Sequence, residues 1–391
     1  MICPVSSWAL PESSEYGRQP FGLRRGQPAD FDAKFDRLTV FYDCFRVSDT
    51  RVMLVGPPLK HFPGILDSLQ VSSAPSGKQC SYEVRHRSTS HFGNRHVDNL
   101  SEVWVETTAS DTCLHLQTAA GETSMEIQPA GRELFREKRV LFTLSKNNDP
   151  QWICDWMRFH RDMQGANAVL LYDNASTAYS ISALEEQMRR VSGFEAVCVV
   201  DWPFKYGPRA AGRQVWDYAY SQGGVLEDAR WRFLADAYGV LNCDVDELVL
   251  SHEGNLFDRA AATDTGCLRF TGRWVAQSST SSQATPRHRE STDQLLPRWR
   301  MQGLRLKDAN LCPAKWVVVP SRCPVEAHWS VHEIVGLRSA LLRQNDTYYR
   351  HFTRIGTNWK NNRHLIEGDG SRPRKKDTEL EHAFAGVRWE H

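Results

Sequence analysis

Val240-Leu-Asn-Cys-Asp-Val-Asp-Glu-Leu-Val249 is the stretch whose reading decides the fold. An apolar lead-in (Val240, Leu241) runs into Asp244-Val245-Asp246-Glu247, and apolar residues (Leu248, Val249, Leu250) resume at once. In an extended segment residues two apart share a face, so alternation predicts that Asp244 and Asp246 aim their carboxylates the same way. Two carboxylates so placed repel, and burying them unpaired is costly. A hard divalent cation, Mn²⁺ or Mg²⁺, relieves that cost by taking one or two carboxylates together with substrate phosphates. The stretch therefore reads as a cation–diphosphate site at the end of a core strand. The plain alternative is an acidic turn between two strands, and the remainder of the chain has to decide.

Upstream of it the chain alternates. Arg139-Val-Leu-Phe-Thr-Leu144 predicts a compact strand, and the polar loop Ser145–Asp149 follows. Asp149 is a good N-cap and Pro150 a good first helical residue. Trp152, Ile153, Trp156, Met157, His160 and Met163 then fall on one helical stripe. Gly165 ends that helix. Ala168–Tyr172 predicts a second strand running into Asp173-Asn-Ala-Ser176, Ile181–Arg190 a second helix, and Phe194–Val200 a third strand. Helices over 210–220 and Leu226–Tyr238 deliver the chain to Val240. Such β-α alternation predicts a Rossmann-like, mostly parallel sheet flanked by helices. Ligands of such sheets bind beyond the carboxyl ends of the strands, which is where the loops at 145–149 and 173–176 and the Asp244 turn belong. Downstream, Leu268–Val275 and Trp316–Val319 predict further strands, leading to His328-Trp-Ser-Val-His332-Glu and Tyr349-Arg-His351-Phe.

The ends of the chain read differently. Residues 1–30 are rich in Pro, Ser, Gly and Arg and predict a flexible arm. Over 31–135, short strands (Arg37–Tyr42, Val52–Val55, Val103–Thr107, Leu114–Gln117, Met125–Ile127) separated by polar turns predict a small β-sandwich-like accessory domain. The α/β domain covers 136–365, and 366–391 reads as a polar tail. Lys+Arg 48 against Asp+Glu 47 leaves a formal charge of +1, so bulk charge supplies no nucleic-acid footprint. No apolar run reaches the roughly 18 residues of a membrane span, although peripheral membrane association stays open. The N-terminus lacks the basic and apolar regions of a signal peptide. Ten scattered cysteines without a Cys-x-x-Cys pair suit free buried thiols in a reducing cytoplasm.

Taken together, these motifs resemble the family-92 glycosyltransferases and their family-2-like bacterial relatives. Leu144-Ser-Lys-Asn-Asn-Asp-Pro-Gln-Trp-Ile-Cys-Asp-Trp-Met-Arg-Phe-His160 resembles their opening strand, loop and helix. Leu171-Tyr-Asp-Asn-Ala-Ser176 is similar to their second-strand motif, and Gln214 to a glutamine before the metal site. Cys243-Asp-Val-Asp-Glu-Leu248 resembles their Asp-x-Asp-Glu motif, and Val331-His332-Glu and Arg350-His351-Phe their late histidine motifs. Asp149, Asp155 and Phe352 depart from the family pattern. The resemblance implies a GT-A fold, a UDP-sugar donor with galactose as the family's sugar, Mn²⁺ or Mg²⁺, and inversion at the anomeric carbon.

It also implies roles. Asp246 becomes the direct cation ligand, Asp244 a ribose or cation partner, and His332 the completion of the metal shell. His351 is expected to reach the diphosphate and Asp173 to accept the uracil N–H. Lys146, Asn147 and Asn174 line the donor site, while Lys205, Arg209 and Arg213 are candidate phosphate contacts. An acceptor-deprotonating carboxylate is sought at Asp293 or Glu333, with Glu290 a neighbouring choice. The acceptor is a glycan or another hydroxyl compound. Two other readings compete: a nucleotide-sugar- or carbohydrate-binding protein without turnover, and a phosphohydrolase using Asp244 as nucleophile. The latter place Asp-x-Asp on an early strand, whereas here three α/β strands come first.

Overall fold

The computed structural model describes residues 1–20, 29–90, 96–208, 219–276, 287–302, 305–342, 346–357 and 373–389. The predicted alternation is present as β1 (Arg139–Ser145), α1 (Pro150–Gln164), β2 (Ala168–Asp173), α2 (Ile181–Arg189) and β3 (Ala196–Asp201). Asp149 caps α1 by accepting Gln151 N–H at 2.8 Å, Pro150 occupies its first turn, and Gly165 closes it at φ +68°. Helix α3 (Tyr220–Asp228) leads to β4 (Gly239–Asn242) and β5 (Glu247–Ser251). Strands β6 (Cys267–Ala276), β7 (Leu311–Val318) and β8 (Thr347–Phe352) follow, then helix α4 (Thr378–Gly386).

Strands β3, β2, β1 and β4 lie side by side in that order, all parallel, with Phe142 registered against Leu170 on one side and Asn242 on the other. This is the Rossmann-like half of an α/β sheet. Beyond β4 the sheet turns mixed: β7 is antiparallel to β4 and to β6, while β8 runs parallel to β6 and antiparallel to β5. Alternation along the strands divides the core in two. Leu141, Val169, Leu171 and Val199 face α1 and α2, whereas Val140, Phe142, Leu170 and Val200 face α3 and the N-terminal domain. Burying each such side chain contributes about 1.5–3 kcal/mol, and both faces are covered, as a parallel sheet requires.

The N-terminal region is a sandwich of two antiparallel sheets. Strands 43–48, 51–56, 96–106 and 82–90 form one, and strands 70–74, 113–118 and 121–126 the other. Val52, Leu54, Val103 and Val105 meet Val71, Leu114 and Leu116 between them. The first sheet's other face, with Phe45, Met53 and Trp104, joins the main core, and Asp43 pairs with Arg232 across the boundary at 2.7 Å.

Three expectations change. Residues 1–20 are not a loose arm: Ile2–Cys3 extends the parallel sheet beside β3, and Trp8–Ala9 pairs with Thr39–Phe41. Two-residue strands carry too little pattern to be read from sequence. The polar tail contains α4, whose Leu380 and Phe384 bury against the core, with Phe384 edge-on to Phe159 of α1. The predicted helix to Tyr238 stops early, because α3 continues only through a π-turn over Ala229–Phe233. That turn sends Arg232 to Asp43 and Arg230 to the carbonyls of Pro324 and Ala327. Among the described residues no helix is long and apolar enough to cross a membrane.

Candidate functional site

The carboxyl end of the parallel strands carries three polar segments, and β4 delivers the most charged of them. Val240 and Leu241 are fully buried, and the chain then breaks out of the sheet at Cys243. Asp244–Glu247 is a turn closed by Glu247 N–H on Asp244 O at 2.9 Å, and it is not extended. The premise that Asp244 and Asp246 share a face therefore fails, and the two carboxylates take different partners.

Asp246 meets His351, whose Nε2 lies 3.1 Å from Asp246 Oδ2. The antiparallel pairing of β5 with β8 sets this up: Glu247 is registered against His351, and Phe352 N–H donates to Asp246 O at 2.9 Å. Trp274 of β6 stacks on the His351 ring, centroids 4.1 Å apart and 24° from parallel, which fixes the ring plane. Glu247 Oε1 is 3.6 Å from His351 Nδ1. One ligand atom each from Asp246, Glu247 and His351 falls within a 4.8 Å cluster, and all three residues are buried. Carboxylate oxygens with one imidazole nitrogen are a donor set suited to Mn²⁺, and the oxygens alone suit Mg²⁺.

Asp244 instead faces Lys315 of β7. The lysine side chain is 3% exposed, and its Nζ lies 2.9 Å from Asp244 Oδ2 and 3.0 Å from Glu247 Oε2. The contacts have the distances of salt bridges rather than the alignment of good hydrogen bonds. Burial acts to lower the lysine pKa, but Asp244 and Glu247 outweigh it and hold the group above an ordinary lysine. Burial pushes the Glu247 carboxyl up against the opposing pull of Lys315. Glu247 Oε2 also accepts Asp244 N–H at 2.8 Å, which locks the turn.

The segment after β8 passes close to the turn. A Cβ at Gly356 would stand 3.6 Å from Asp246 Oδ2, and Thr357 Oγ1 donates to Lys146 O at 2.9 Å. Beneath the turn, His160 holds β5 in place: its Nδ1 lies 2.9 Å from Trp156 O, and its Nε2 accepts Val249 N–H at 3.2 Å. Burial drives its pKa down to about 3, so the imidazole is neutral, in keeping with the core role expected for it.

The loops after β1 and β2 are built differently. Asp173 accepts from Ser176 N–H at 2.9 Å, Ser176 Oγ at 2.6 Å and Tyr179 Oη at 3.2 Å. Asn147, at φ +55°, accepts Thr177 N–H at 2.6 Å and Ala178 N–H at 3.0 Å. Asn174 is fully buried and donates to the carbonyls of Trp202 and Phe204. These residues, expected to line the donor site, knit the two loops together; Asp173 in particular has its carboxylate engaged already.

Other nominated residues separate. His332 is not in the cluster of Asp246, Glu247 and His351; its Nδ1 lies 2.9 Å from Ala314 O. The strand register that brings His351 to Glu247 is not readable from spacing. Lys205 Nζ reaches Phe35 O at 3.4 Å, toward the N-terminal domain. Glu333 faces Arg269 at 3.6 Å, and Asp293 opens a short strand registered against Ala276 and Lys376. Arg209, Arg213 and Gln214 lie outside the described residues, as does the basic stretch 359–363.

Sequence reasoning missed Lys315, Trp274 and the ligand role open to Glu247. A lysine entering the apolar run Trp316–Val319 was the one available signal for Lys315. Asp155 is a further find: it is fully buried and clamps Arg287 through two contacts of 2.7 Å, tying α1 to the segment that follows β6.

No protein-family model matches the sequence, and no curated protein matches it. Similar solved structures include TarS from S. aureus in complex with UDP, at TM-score 0.31 and 11% identity, covering 55% of this chain and 60% of that one. WbbM, a bifunctional glycosyltransferase, aligns at TM-score 0.26 and 14% identity over 46% of this chain and 28% of its own. The glycosyltransferase GlyE from Streptococcus pneumoniae aligns at TM-score 0.22 and 13% identity, over 48% and 35%. The chain thus spans 60% or less of the length of each of these three. The likeness is faint, and the chemistry stands on the chain's own residues.

Proposed function

We propose that this chain is a metal-dependent glycosyltransferase of the GT-A type, moving a sugar from a UDP-sugar to a hydroxyl acceptor such as a glycan. The observation that carries the reading is the convergence of Asp246, Glu247 and His351 at the carboxyl end of β4, in the part of an α/β sheet where ligands bind. Asp246 and His351 would hold Mn²⁺ or Mg²⁺, with Glu247 behind them. When bound, the cation supplies charge neutralisation for the diphosphate that leaves with UDP.

The chain's own residues do the positioning. Trp274 stacking and the β5–β8 register orient His351, while the Glu247-to-Asp244 backbone contact keeps the turn in one shape. Gly356 passes close to Asp246, and Thr357 ties that stretch to Lys146 O. Inversion and galactose rest on the family-92 resemblance, and the base that inversion needs, sought at Asp293 or Glu333, is not supplied by the Asp246, Glu247 and His351 cluster.

The test is UDP release from a panel of UDP-sugars with Mn²⁺ and with EDTA. Release that requires both a particular sugar nucleotide and the cation supports the reading. UDP binding with no release from any sugar and acceptor supports a nucleotide-sugar-binding protein instead. Phosphate release from simple phosphomonoesters would overturn both.

A further inference from the structure

Lys315 is the one charged side chain that β7 places among the carboxylates of the turn, and neither the motif nor the proposed reaction calls for it. Burying an ammonium group costs several kcal/mol unless good partners compensate. Here both partners come from the acidic turn, Asp244 at 2.9 Å and Glu247 at 3.0 Å. The carboxylates are thereby sorted. Asp244 and one oxygen of Glu247 face the lysine, while Asp246, 3.1 Å from His351, faces the other way. Without the lysine, Asp244, Asp246 and Glu247 would crowd three negative charges into one turn. With it, one of those charges is countered inside the turn.

We infer that Lys315 is a positioning residue, a resident countercharge that keeps Asp244 and Glu247 turned toward β7 and leaves Asp246 with His351 to face one divalent cation and its diphosphate. The inference rests on the glycosyltransferase reading only for the identity of that diphosphate. Two consequences follow from the charge arithmetic. Removing the lysine makes the turn more negative, so a cation alone binds more tightly. The surplus charge then repels a nucleoside diphosphate arriving with the cation, so UDP binds more weakly. A lysine that merely braced the turn would not split the two affinities in opposite directions.

The experiment measures Mn²⁺ affinity without nucleotide, and UDP affinity at saturating Mn²⁺, in the full chain. Wild type, Lys315→Met, Lys315→Arg and the charge-balanced Lys315→Met/Asp244→Asn, which leaves the Asp246, Glu247 and His351 cluster intact, are compared, each first checked by circular dichroism. For Lys315→Met the expected result is Mn²⁺ binding about tenfold tighter and UDP binding about tenfold weaker. Lys315→Arg should keep both within about threefold, and the double variant should return Mn²⁺ affinity to near wild type. Should Lys315→Met alone fail to fold, the double variant and Lys315→Arg carry the comparison. Loss of Mn²⁺ affinity in Lys315→Met, or in the folded double variant, would overturn the inference, as would a failure of Lys315→Arg to preserve both affinities. A wild type that binds Mn²⁺ but not UDP would defeat the donor assignment while leaving the Mn²⁺ comparison readable. A wild type that binds no Mn²⁺ would overturn both.

Discussion

Two polar regions stand at the same end of the sheet and use their side chains in opposite ways. After β1 and β2, Asn147, Asp173, Asn174 and Ser176 spend their polar atoms on one another and on nearby backbone. After β4, Asp246, Glu247 and His351 converge, and Lys315 faces Asp244 and Glu247 beside them. The first region is a hydrogen-bond web built from neutral donors, in which only Asn174 Oδ1 among these residues is left without a partner, and it holds two loops in register. The second keeps buried charge that a structural turn would avoid. Both looked alike in sequence, as short polar breaks after apolar strands. What sets the second region apart is the density of charged groups, with Lys315 and His351 drawn in beside three carboxylates, and polarity alone does not reveal it.

The largest expected effect is at Asp246. Asp246→Asn keeps the shape of the turn and removes one negative charge from the proposed cation site, so turnover should fall by a factor on the order of 10²–10³, with the melting temperature little changed. Steady-state rates on the best UDP-sugar, with a thermal melt alongside, check this. A fully active Asp246→Asn would place the charged turn in the same class as the hydrogen-bonded loops after β1 and β2.

The two histidines sharpen the contrast next. His351→Ala should weaken Mn²⁺ binding by about tenfold, a loss in keeping with removing one neutral ligand or its support. His332→Ala, which loses a contact to Ala314 O, should leave it within about twofold. Titration of both variants with Mn²⁺ decides, and equal effects would remove the distinction that the strand register draws.

Asp173→Ala probes the opposite region. Three donors lose their acceptor, and the protein should lose about 3 kcal/mol of stability by denaturant titration. UDP affinity of the folded fraction should change by less than about threefold. A stable variant that binds UDP poorly would return Asp173 to the uracil contact first expected of it.

A further effect concerns pH. Burial lowers the His160 pKa from 6.5 to about 3, so the folded state disfavours its protonation. The unfolded state binds the extra proton first. Stability is therefore full above about pH 6.5 and declines as pH falls toward 3, by at most about 1.4 kcal/mol per pH unit from this group. Denaturant midpoints at pH 7, 6 and 5 measure the slope, and His160→Gln should flatten it. An unchanged slope would show that His160 does not titrate between the folded and unfolded states as its burial requires.

Much of the fold was legible because its signals are local. The Asp149-Pro150 start and Gly165 stop of α1 sit where capping chemistry puts them, and the apolar runs at 139–144, 168–172 and 240–241 became the parallel strands. The site was only half legible. Asp246 was read from the motif, but its partner depends on β8 pairing with β5 across about a hundred residues. Alternation misled at Asp244 because the motif is a turn. Lys315 stayed invisible, since a lone lysine before a strand ordinarily points to solvent. Ile2–Cys3 and α4 were missed for a related reason: their stability comes from the surfaces they dock on, and short segments carry little pattern of their own.

The central claim is that the turn after β4 binds a nucleoside diphosphate through a divalent cation. Isothermal titration of UDP into the full chain, with Mn²⁺ and then with EDTA, tests it most directly. Saturable binding that weakens by at least about a hundredfold when the cation is removed, a difference near 2.7 kcal/mol, is the predicted result. UDP affinity that is the same with and without the cation would contradict it.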